Sequence, residues 1–152
     1  MTTITSANLA PEVLLVDDNP GDSDLTSEIL QQSRHRFHVN VVNDGQKALE
    51  FLHRKRNFST APRPQLIVLD LRMPRVDGMS VLREVKKDRA LSKIPVVILT
   101  ASKAAADVIH CYELGANCYL AKPGNLPDFV HLVKSMADLW LGFASLPPKE
   151  CQ

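Results

Sequence analysis

The sequence has few cysteines, few aromatic residues and little net charge. Its 152 residues include three cysteines (Cys111, Cys118 and Cys151), and only 5% of the residues are aromatic. Three unclustered cysteines favour reduced thiols over a disulfide framework or a zinc site, which predicts a cytoplasmic protein. The 18 Lys and Arg residues nearly balance the 17 Asp and Glu residues, for a net charge of +1. That balance argues against nucleic acid or an anionic membrane as a partner.

Long apolar runs are also absent. No stretch is long and apolar enough to predict a membrane-spanning helix, and the N-terminus does not resemble a signal peptide. A length of 152 residues suits one ordinary domain. We expect residues 1–10 to be a flexible N-terminus, residues 11–143 to form the domain, and residues 144–152 to be a C-terminal tail.

Short apolar runs alternate with amphipathic segments along the whole chain. The runs lie at residues 13–16, 39–42, 66–69, 96–99 and 118–121. Runs of four residues, mostly rich in β-branched side chains, are typical of strands buried in a parallel sheet, and the second run alternates more, as an edge strand does. The alternation with helical segments predicts an α/β fold, a (βα)5 doubly wound sheet of five parallel strands.

Polar side chains stand directly after four of the five runs. Asp17 and Asp18 follow the first run, Asp70 the third, Thr100 the fourth and Lys122 the fifth. With the strand order 2-1-3-4-5, these four strands are neighbours, and the functional site of such a sheet lies beyond their carboxyl ends. We therefore expect the five side chains to converge there.

Clustered carboxylates repel one another unless a cation offsets their charge. Oxygen ligands with room for water suit Mg²⁺, or Mn²⁺ in the same kind of site. A carboxylate beside such an ion can act as a nucleophile and form an aspartyl phosphate. Lys122 and Thr100 supply a positive charge and a hydroxyl donor for phosphoryl oxygens.

Four motifs together resemble the receiver domain of two-component response regulators, whose fold is flavodoxin-like. They are Val-Asp17-Asp18-Asn19, Leu69-Asp70-Leu-Arg-Met-Pro74-x-x-Asp77-Gly78, Leu99-Thr100-Ala101 and Tyr119-x-x-Lys122-Pro123.

The resemblance implies a role for each matching residue. Asp70 would be the phosphoacceptor, and Asp17 and Asp18 would hold the metal together with the backbone carbonyl of Arg72. Thr100 and Tyr119 would form a switch pair. Lys122 would contact the phosphoryl group, and the bond between Lys122 and Pro123 would be cis.

A narrower resemblance is to single-domain regulators that serve phytochrome-type histidine kinases. It rests on residues 18–22, 62–64, 117–120 and 139–147. It implies a stand-alone regulator that takes its phosphoryl group from such a kinase and signals through protein contacts, not as an enzyme.

Some residues near the motifs have simpler interpretations. Asp22 and Asp24 are expected to be first-turn charges of the first helix and nothing more. Asp77 and Gly78 are expected to be structural residues of the turn before the third helix. Two positions depart from the common pattern of the family: Arg72, whose side chain would overhang the site, and Gly124, where an apolar residue is usual.

The C-terminal helix carries an apolar stripe that is longer than one domain requires. Its members follow 3-4 spacing and include Phe129, Met136, Trp140 and Phe143. This pattern predicts an extended C-terminal helix and a homodimer built on it. The alternative is that the tail folds back over its own domain.

Two other functions fit the same fold class. One is a phosphohydrolase with an aspartyl nucleophile, although such enzymes usually carry Asp-x-Asp after the first strand. The other is a nucleotide- or flavin-binding domain, which needs a Gly- or Ser/Thr-rich phosphate loop where this chain has Asp17 and Asp18.

Overall fold

The computed structural model describes residues 10–149, which contain five strands and five α-helices. The strands are Glu12–Val16 (β1), His38–Val42 (β2), Leu66–Leu69 (β3), Val96–Thr100 (β4) and Cys118–Ala121 (β5). The helices are Pro20–Gln31 (α1), Gly45–His53 (α2), Gly78–Lys87 (α3), Ala105–Glu113 (α4) and Leu126–Ala137 (α5). A 3-10 turn at Arg56–Phe58 and a π-helical turn at Asp138–Phe143 complete the elements.

The sheet has the order β2-β1-β3-β4-β5, and every neighbouring pair is parallel. This confirms the predicted doubly wound architecture. Val16 at the end of β1 pairs with both Val42 and Leu69, so the carboxyl ends of β2, β1 and β3 are level. The side chains that follow these strands are therefore brought to one edge of the sheet.

Two hydrophobic cores cover the two faces of the sheet. Alternate residues of the buried strands point to opposite faces, so that Leu14 lies in the core beneath α2, α3 and α4, and Leu15 in the core beneath α1 and α5. Leu82 of α3 is fully buried, and truncating such a residue to Ala costs about 2–5 kcal/mol. The buried thiol of Cys111 and the partly buried thiol of Cys118 are free, while Cys151 lies outside the described residues.

Polar caps begin four of the helices. The side chains of Asn19, Asp44, Asp77 and Asn125 each accept a hydrogen bond from a first-turn backbone N–H of α1, α2, α3 and α5, respectively. Asp77 is thus structural, as expected. Helix α4 follows Ala104, which offers no side-chain cap. Within residues 10–149, no helix combines the length and apolarity needed to cross a bilayer.

Two glycines allow the loop between β3 and α3 to pack closely. A Cβ atom on Gly78 would lie 2.1 Å from the carbonyl oxygen of Asp70, and one on Gly45 would lie 2.1 Å from that of Val76. Neither contact is possible for a larger residue without movement of the backbone. Because Gly78 has no side chain, the loop can lie directly against the end of β3.

The C-terminal segment folds back over its own domain. The α-helix ends at Ala137 and a π-helical turn follows, so that Trp140, Leu141 and Leu146 pack against the core beneath α1 and α5. The Gln65 side-chain amide also donates to the carbonyl of Pro147 at 2.8 Å. The expectation that nothing in the domain covers this continuation of the stripe is wrong for these residues, because the turn redirects them onto the core.

The four residues proposed for a dimer interface fall into different environments. Phe129 and Met136 are buried in the domain's own core, and Trp140 is half-buried against it. Phe143 is 80% exposed, and the neighbouring Leu139 is 53% exposed. The exposed part of the stripe is therefore the π-helical turn and not α5 itself.

The N-terminal segment and one peptide bond bear on two further expectations. Residues 1–9 of the expected flexible N-terminus lie outside the described part of the chain, and Ala10 is buried. Residues 10–149 contain no cis peptide bond, so the bond between Lys122 and Pro123 is trans, contrary to expectation. The chain instead bends at Gly124 and Asn125 before α5 begins.

Candidate functional site

The polar residues that follow the strands meet at the carboxyl edge of the sheet. The backbone N–H of Asp70 donates to Val16 at the end of β1 at 2.9 Å, and that of Lys122 donates to Thr100 at the end of β4 at 2.7 Å. Asp17, which follows β1, and Asp70 are both buried. These four residues therefore lie at one edge of the sheet, and Asp18 lies there too, within 4.8 Å of Asp17 and Asp70.

Lys122 is the centre of a network of charges, most of them buried. Its ammonium lies 2.9 Å from Asp17 Oδ2, 2.9 Å from Asp22 Oδ2 and 3.2 Å from Asp70 Oδ2, and its side chain is only 8% exposed. Charge-assisted bonds of this length are stronger than neutral ones. Lys122 therefore offsets the mutual repulsion of three carboxylates.

Asp22 is the residue that the sequence interpretation missed. It lies in the first turn of α1 as expected, but its carboxylate also binds Lys122. The direction of its side chain depends on how α1 is rotated over the sheet edge. The sequence places Asp22 in the first helical turn beyond β1, but that position alone does not determine where its carboxylate points.

Asp17 is held at both of its carboxylate oxygens. Oδ1 accepts the backbone N–H of Asn19 at 2.9 Å, and Oδ2 accepts Lys122. Burial raises the pKa of the Asp17 carboxyl above its usual range, and the charge of Asp70 adds to the rise, although the bonds to Lys122 and Asn19 oppose it. Burial alone would lower the pKa of the Lys122 ammonium, but the bonds to Asp17 and Asp22 outweigh it and raise that pKa.

Three carboxylates are placed to hold a metal ion together. One oxygen from each of Asp17, Asp18 and Asp70 lies within 4.8 Å of the other two. An all-oxygen set with one partly exposed member, Asp18, leaves room for water ligands and fits Mg²⁺ or Mn²⁺. The backbone of Arg72 borders the same place, because its N–H donates to Asp70 Oδ1 at 3.3 Å.

The hydroxyl groups of Thr100 and Tyr119 differ in their hydrogen bonding. The hydroxyl of Thr100 is buried and has no hydrogen-bond partner among the described residues. An unsatisfied buried hydroxyl costs about 1–3 kcal/mol, so a nearby acceptor would stabilise it. The hydroxyl of Tyr119 donates to the backbone carbonyl of Ser102 at 2.9 Å.

The side chain of Arg72 pairs with a carboxylate of α4. Its Nη2 lies 3.2 Å from Asp107 Oδ2, in the first turn of α4. The sequence interpretation expected this side chain to overhang the site and did not identify Asp107 as its partner.

Comparisons with known proteins agree with this geometry. The family model described as the response regulator receiver domain matches residues 13–134. Response regulator Rcp1 of Synechocystis is 42% identical over 135 residues, which cover 89% of this chain and 92% of that protein. The crystal structure of the Mn²⁺-bound form of Rcp1 matches with a TM-score of 0.88 and covers 90% of this chain and 99% of that one.

Two further structures carry a phosphoryl group or a metal. The phosphorylated cyanobacterial phytochrome response regulator RcpA is 40% identical, has a TM-score of 0.87, and covers 91% of this chain and 99% of its own. The receiver domain of the sensor histidine kinase PA1611 of Pseudomonas aeruginosa, with magnesium in its active-site cleft, is 29% identical at a TM-score of 0.68, over 88% and 98% of the two chains. With its sheet order, its carboxylate cluster and its lysine, this chain belongs to the family of response regulator receiver domains.

Proposed function

We propose that this chain is a stand-alone response regulator that accepts a phosphoryl group on Asp70 from a phytochrome-type histidine kinase. The observation that carries the proposal is the buried ammonium of Lys122, which bonds to Asp70 while Asp17 and Asp22 hold it in place. This arrangement supplies a nucleophilic carboxylate and a cation for the group that it receives.

The transfer is a displacement at phosphorus. A carboxylate oxygen of Asp70 forms the new P–O bond while the P–N bond of the donor phosphohistidine breaks, and the departing imidazole keeps the electron pair and takes up a proton. The N–H of Arg72 on Oδ1 and Lys122 on Oδ2 orient the carboxylate. Lys122 then remains within reach of the phosphoryl oxygens.

The metal ligands are Asp17, Asp18 and Asp70, with the backbone carbonyl of Arg72 as the expected fourth. When bound, Mg²⁺ or Mn²⁺ offsets the charge of the carboxylates and of the phosphoryl group. The metals bound by Rcp1 and by the PA1611 receiver domain support this assignment. The carboxylate oxygens of this chain already lie close enough to one another to share one ion.

The switch pair is Thr100 and Tyr119. The unpartnered hydroxyl of Thr100 turns toward a phosphoryl oxygen, and Tyr119 moves into the space that this movement frees. Tyr119 must first leave the carbonyl of Ser102. The surface around α4 and β5 differs between the two states, and this difference is the signal.

The partners are proteins. The similarity to RcpA, described as a phytochrome response regulator, and to Rcp1 supports a phytochrome-type histidine kinase as the donor. The chain acts as a cytoplasmic signalling phosphoacceptor and not as an enzyme; its site serves only its own phosphorylation and dephosphorylation. Neither nucleic acid nor a membrane is proposed as a partner.

The chain forms a homodimer through its C-terminal segment. Phe143 and Leu139 are the exposed apolar residues of the π-helical turn, whereas Phe129, Met136 and Trp140 support that turn from the core. A twofold interface would cover both copies of the exposed pair.

Phosphotransfer from a purified phytochrome-type kinase tests the main proposal. We expect transfer in Mg²⁺ to the wild type and to Asp77→Asn, a matched control that alters a helix cap, and none to Asp70→Asn. Labelling of Asp70→Asn would refute the assignment. Multiple turnover on organic phosphates would favour a phosphohydrolase instead.

Sedimentation tests the dimer. We expect Phe143→Ser to be a monomer at micromolar concentration, and Leu126→Ser, which removes another exposed apolar side chain at the start of α5, to sediment as the wild type does. A monomeric wild-type chain, phosphorylated or not, would overturn the dimer.

A further inference from the structure

A chain of polar contacts connects the residue beside the phosphoacceptor to the switch tyrosine. Arg72 Nη2 lies 3.2 Å from Asp107 Oδ2, and the same oxygen accepts the Ser102 hydroxyl at 2.5 Å. The carbonyl of Ser102 accepts the hydroxyl of Tyr119 at 2.9 Å. Four residues are thus connected: Arg72 and Ser102 in two loops, Asp107 in α4 and Tyr119 in β5.

The contacts hold residues 101–104, the turn before α4, which must move when the switch of Thr100 and Tyr119 operates. Residues 101–104 follow Thr100, and Ser102 Oγ also accepts the backbone N–H of Ala104 at 3.3 Å. Ser102 therefore fixes both the turn before α4 and the position of Tyr119. Because Asp107 holds Ser102 and Arg72 holds Asp107, the charge of Arg72 stabilises this arrangement.

The pair between Arg72 and Asp107 is weak enough to exchange. The side chain of Arg72 is 71% exposed and that of Asp107 is 28% exposed, and exposed ion pairs of this kind contribute little. A phosphoryl group on Asp70 would bring a second, stronger anion beside the backbone of Arg72, whose N–H already contacts Asp70 Oδ1. Guanidinium and phosphate form paired, charge-assisted hydrogen bonds.

We propose that Arg72 is a positioning residue that exchanges partners: it binds Asp107 in the unphosphorylated chain and the phosphoryl group in the phosphorylated chain. Its departure frees Asp107 and Ser102, so that the turn before α4 and Tyr119 can move together. The exchange rests on the proposed phosphorylation of Asp70. It couples the new charge to the switch by a route separate from Thr100.

Beryllofluoride, which stands in for the phosphoryl group, tests the exchange in the full chain with Mg²⁺. Asp107→Asn releases Arg72 and should tighten beryllofluoride binding about two- to fivefold, the range of an exposed ion pair. Arg72→Met removes the new contact along with the old one and should weaken binding about two- to threefold. If the ion pair were purely structural, both variants would change the affinity for beryllofluoride in the same direction.

Three controls sharpen the test. In the double variant, Asp107→Asn should tighten beryllofluoride binding less than it does in the wild-type background, because no guanidinium remains to be released. Lys134→Met and Glu113→Gln remove one charge of each sign from exposed positions outside the turn before α4 and should leave binding unchanged.

Fluorine NMR of 3-fluorotyrosine reports the switch directly, since the chain has two tyrosines and Tyr112→Phe assigns them. Without beryllofluoride, both single variants should shift the Tyr119 signal toward its position in the saturated wild type. If both variants changed beryllofluoride affinity in the same direction, or if the Tyr119 signal did not move, the partner exchange would be refuted while the proposed phosphorylation would stand. Failure of the wild type to bind beryllofluoride would overturn the proposed phosphorylation as well.

Discussion

Two groups of charges lie at the same edge of the sheet and differ in burial. Lys122 is bound by three carboxylates and almost closed to solvent, whereas Arg72 is bound by one carboxylate and largely open to it. A buried pair is costly to break because it leaves a desolvated charge, while an exposed pair breaks easily. The buried group is suited to hold reactants in place, and the exposed group is suited to change partners.

Removal of the buried ammonium should have the largest effect on stability. Lys122→Met leaves Asp17 and Asp70 buried beside each other without a counter-charge, and should lower the metal-free stability by about 3–5 kcal/mol. Urea unfolding measures this loss. Mg²⁺ should restore part of it by supplying the missing charge, and Lys134→Met on the exposed side of α5 should change little. Equal stability of the Lys122 and Lys134 variants would contradict the central role of Lys122.

A methyl group at Gly78 should have the next largest effect. Gly78→Ala places its Cβ 2.1 Å from the carbonyl of Asp70 and should lower stability by about 1–3 kcal/mol as the loop shifts. Its phosphotransfer should also slow, because the loop carries Arg72. Gly124→Ala is the matched control, since no described atom lies within 4 Å of the added carbon. A neutral Gly78→Ala would show that the loop can shift freely.

Asp17 should matter more to metal binding than to metal-free stability. Burial raises its pKa, so the folded chain favours its protonated form, and its ionised form lowers stability above its unfolded pKa. Asp17→Asn should therefore change metal-free stability by about 1 kcal/mol or less, with Asp22 and Asp70 still bound to Lys122. It should abolish most of the stabilisation by Mg²⁺. A large loss of stability in metal-free Asp17→Asn would mean that the Asp17 carboxylate stabilises the fold.

The same raised pKa sets the pH dependence of metal binding. Mg²⁺ requires the ionised carboxylate, so its affinity should fall as pH drops through the raised pKa of Asp17, by at most about tenfold per pH unit for one proton. Calorimetric titrations at a series of pH values, from neutral down to the lowest pH at which the chain stays folded, measure the fall. Asp77→Asn should show the same profile, and a flat profile in the wild type would contradict the assignment of Asp17.

Loss of the exposed pair should have the smallest effect on stability. Arg72→Met should change the free energy of unfolding by less than about 1 kcal/mol, far less than Lys122→Met. Similar losses for the two cations would remove the distinction between the two groups.

The sheet and most of the buried group follow from local sequence. Each run of β-branched and apolar residues forms a strand, and the polar residue at its end reaches the site because parallel strands share one edge. Asp22 could not be assigned in this way, since first-turn carboxylates are common in helices and only the rotation of α1 brings this one to Lys122.

The exposed group and the C-terminal segment depend on contacts that local patterns do not contain. Arg72 points to Asp107, which lies 35 residues away, and no spacing rule connects them. The 3-4 pattern of the last helix shows an apolar stripe but not whether it faces its own domain. Trp140 packs on the core and Phe143 does not, because the π-helical turn changes the direction of the stripe.

The most direct measurement is mass spectrometry of the chain after incubation with acetyl phosphate and Mg²⁺. We expect one phosphoryl group, located on Asp70, in the wild type. We expect none in Asp70→Asn, and none in the Asp17→Ala, Asp18→Ala double variant, because its site lacks two of the three clustered carboxylates. Unchanged phosphorylation of that double variant, or a phosphoryl group on another residue, would show that Asp70 and its metal ligands are wrongly assigned.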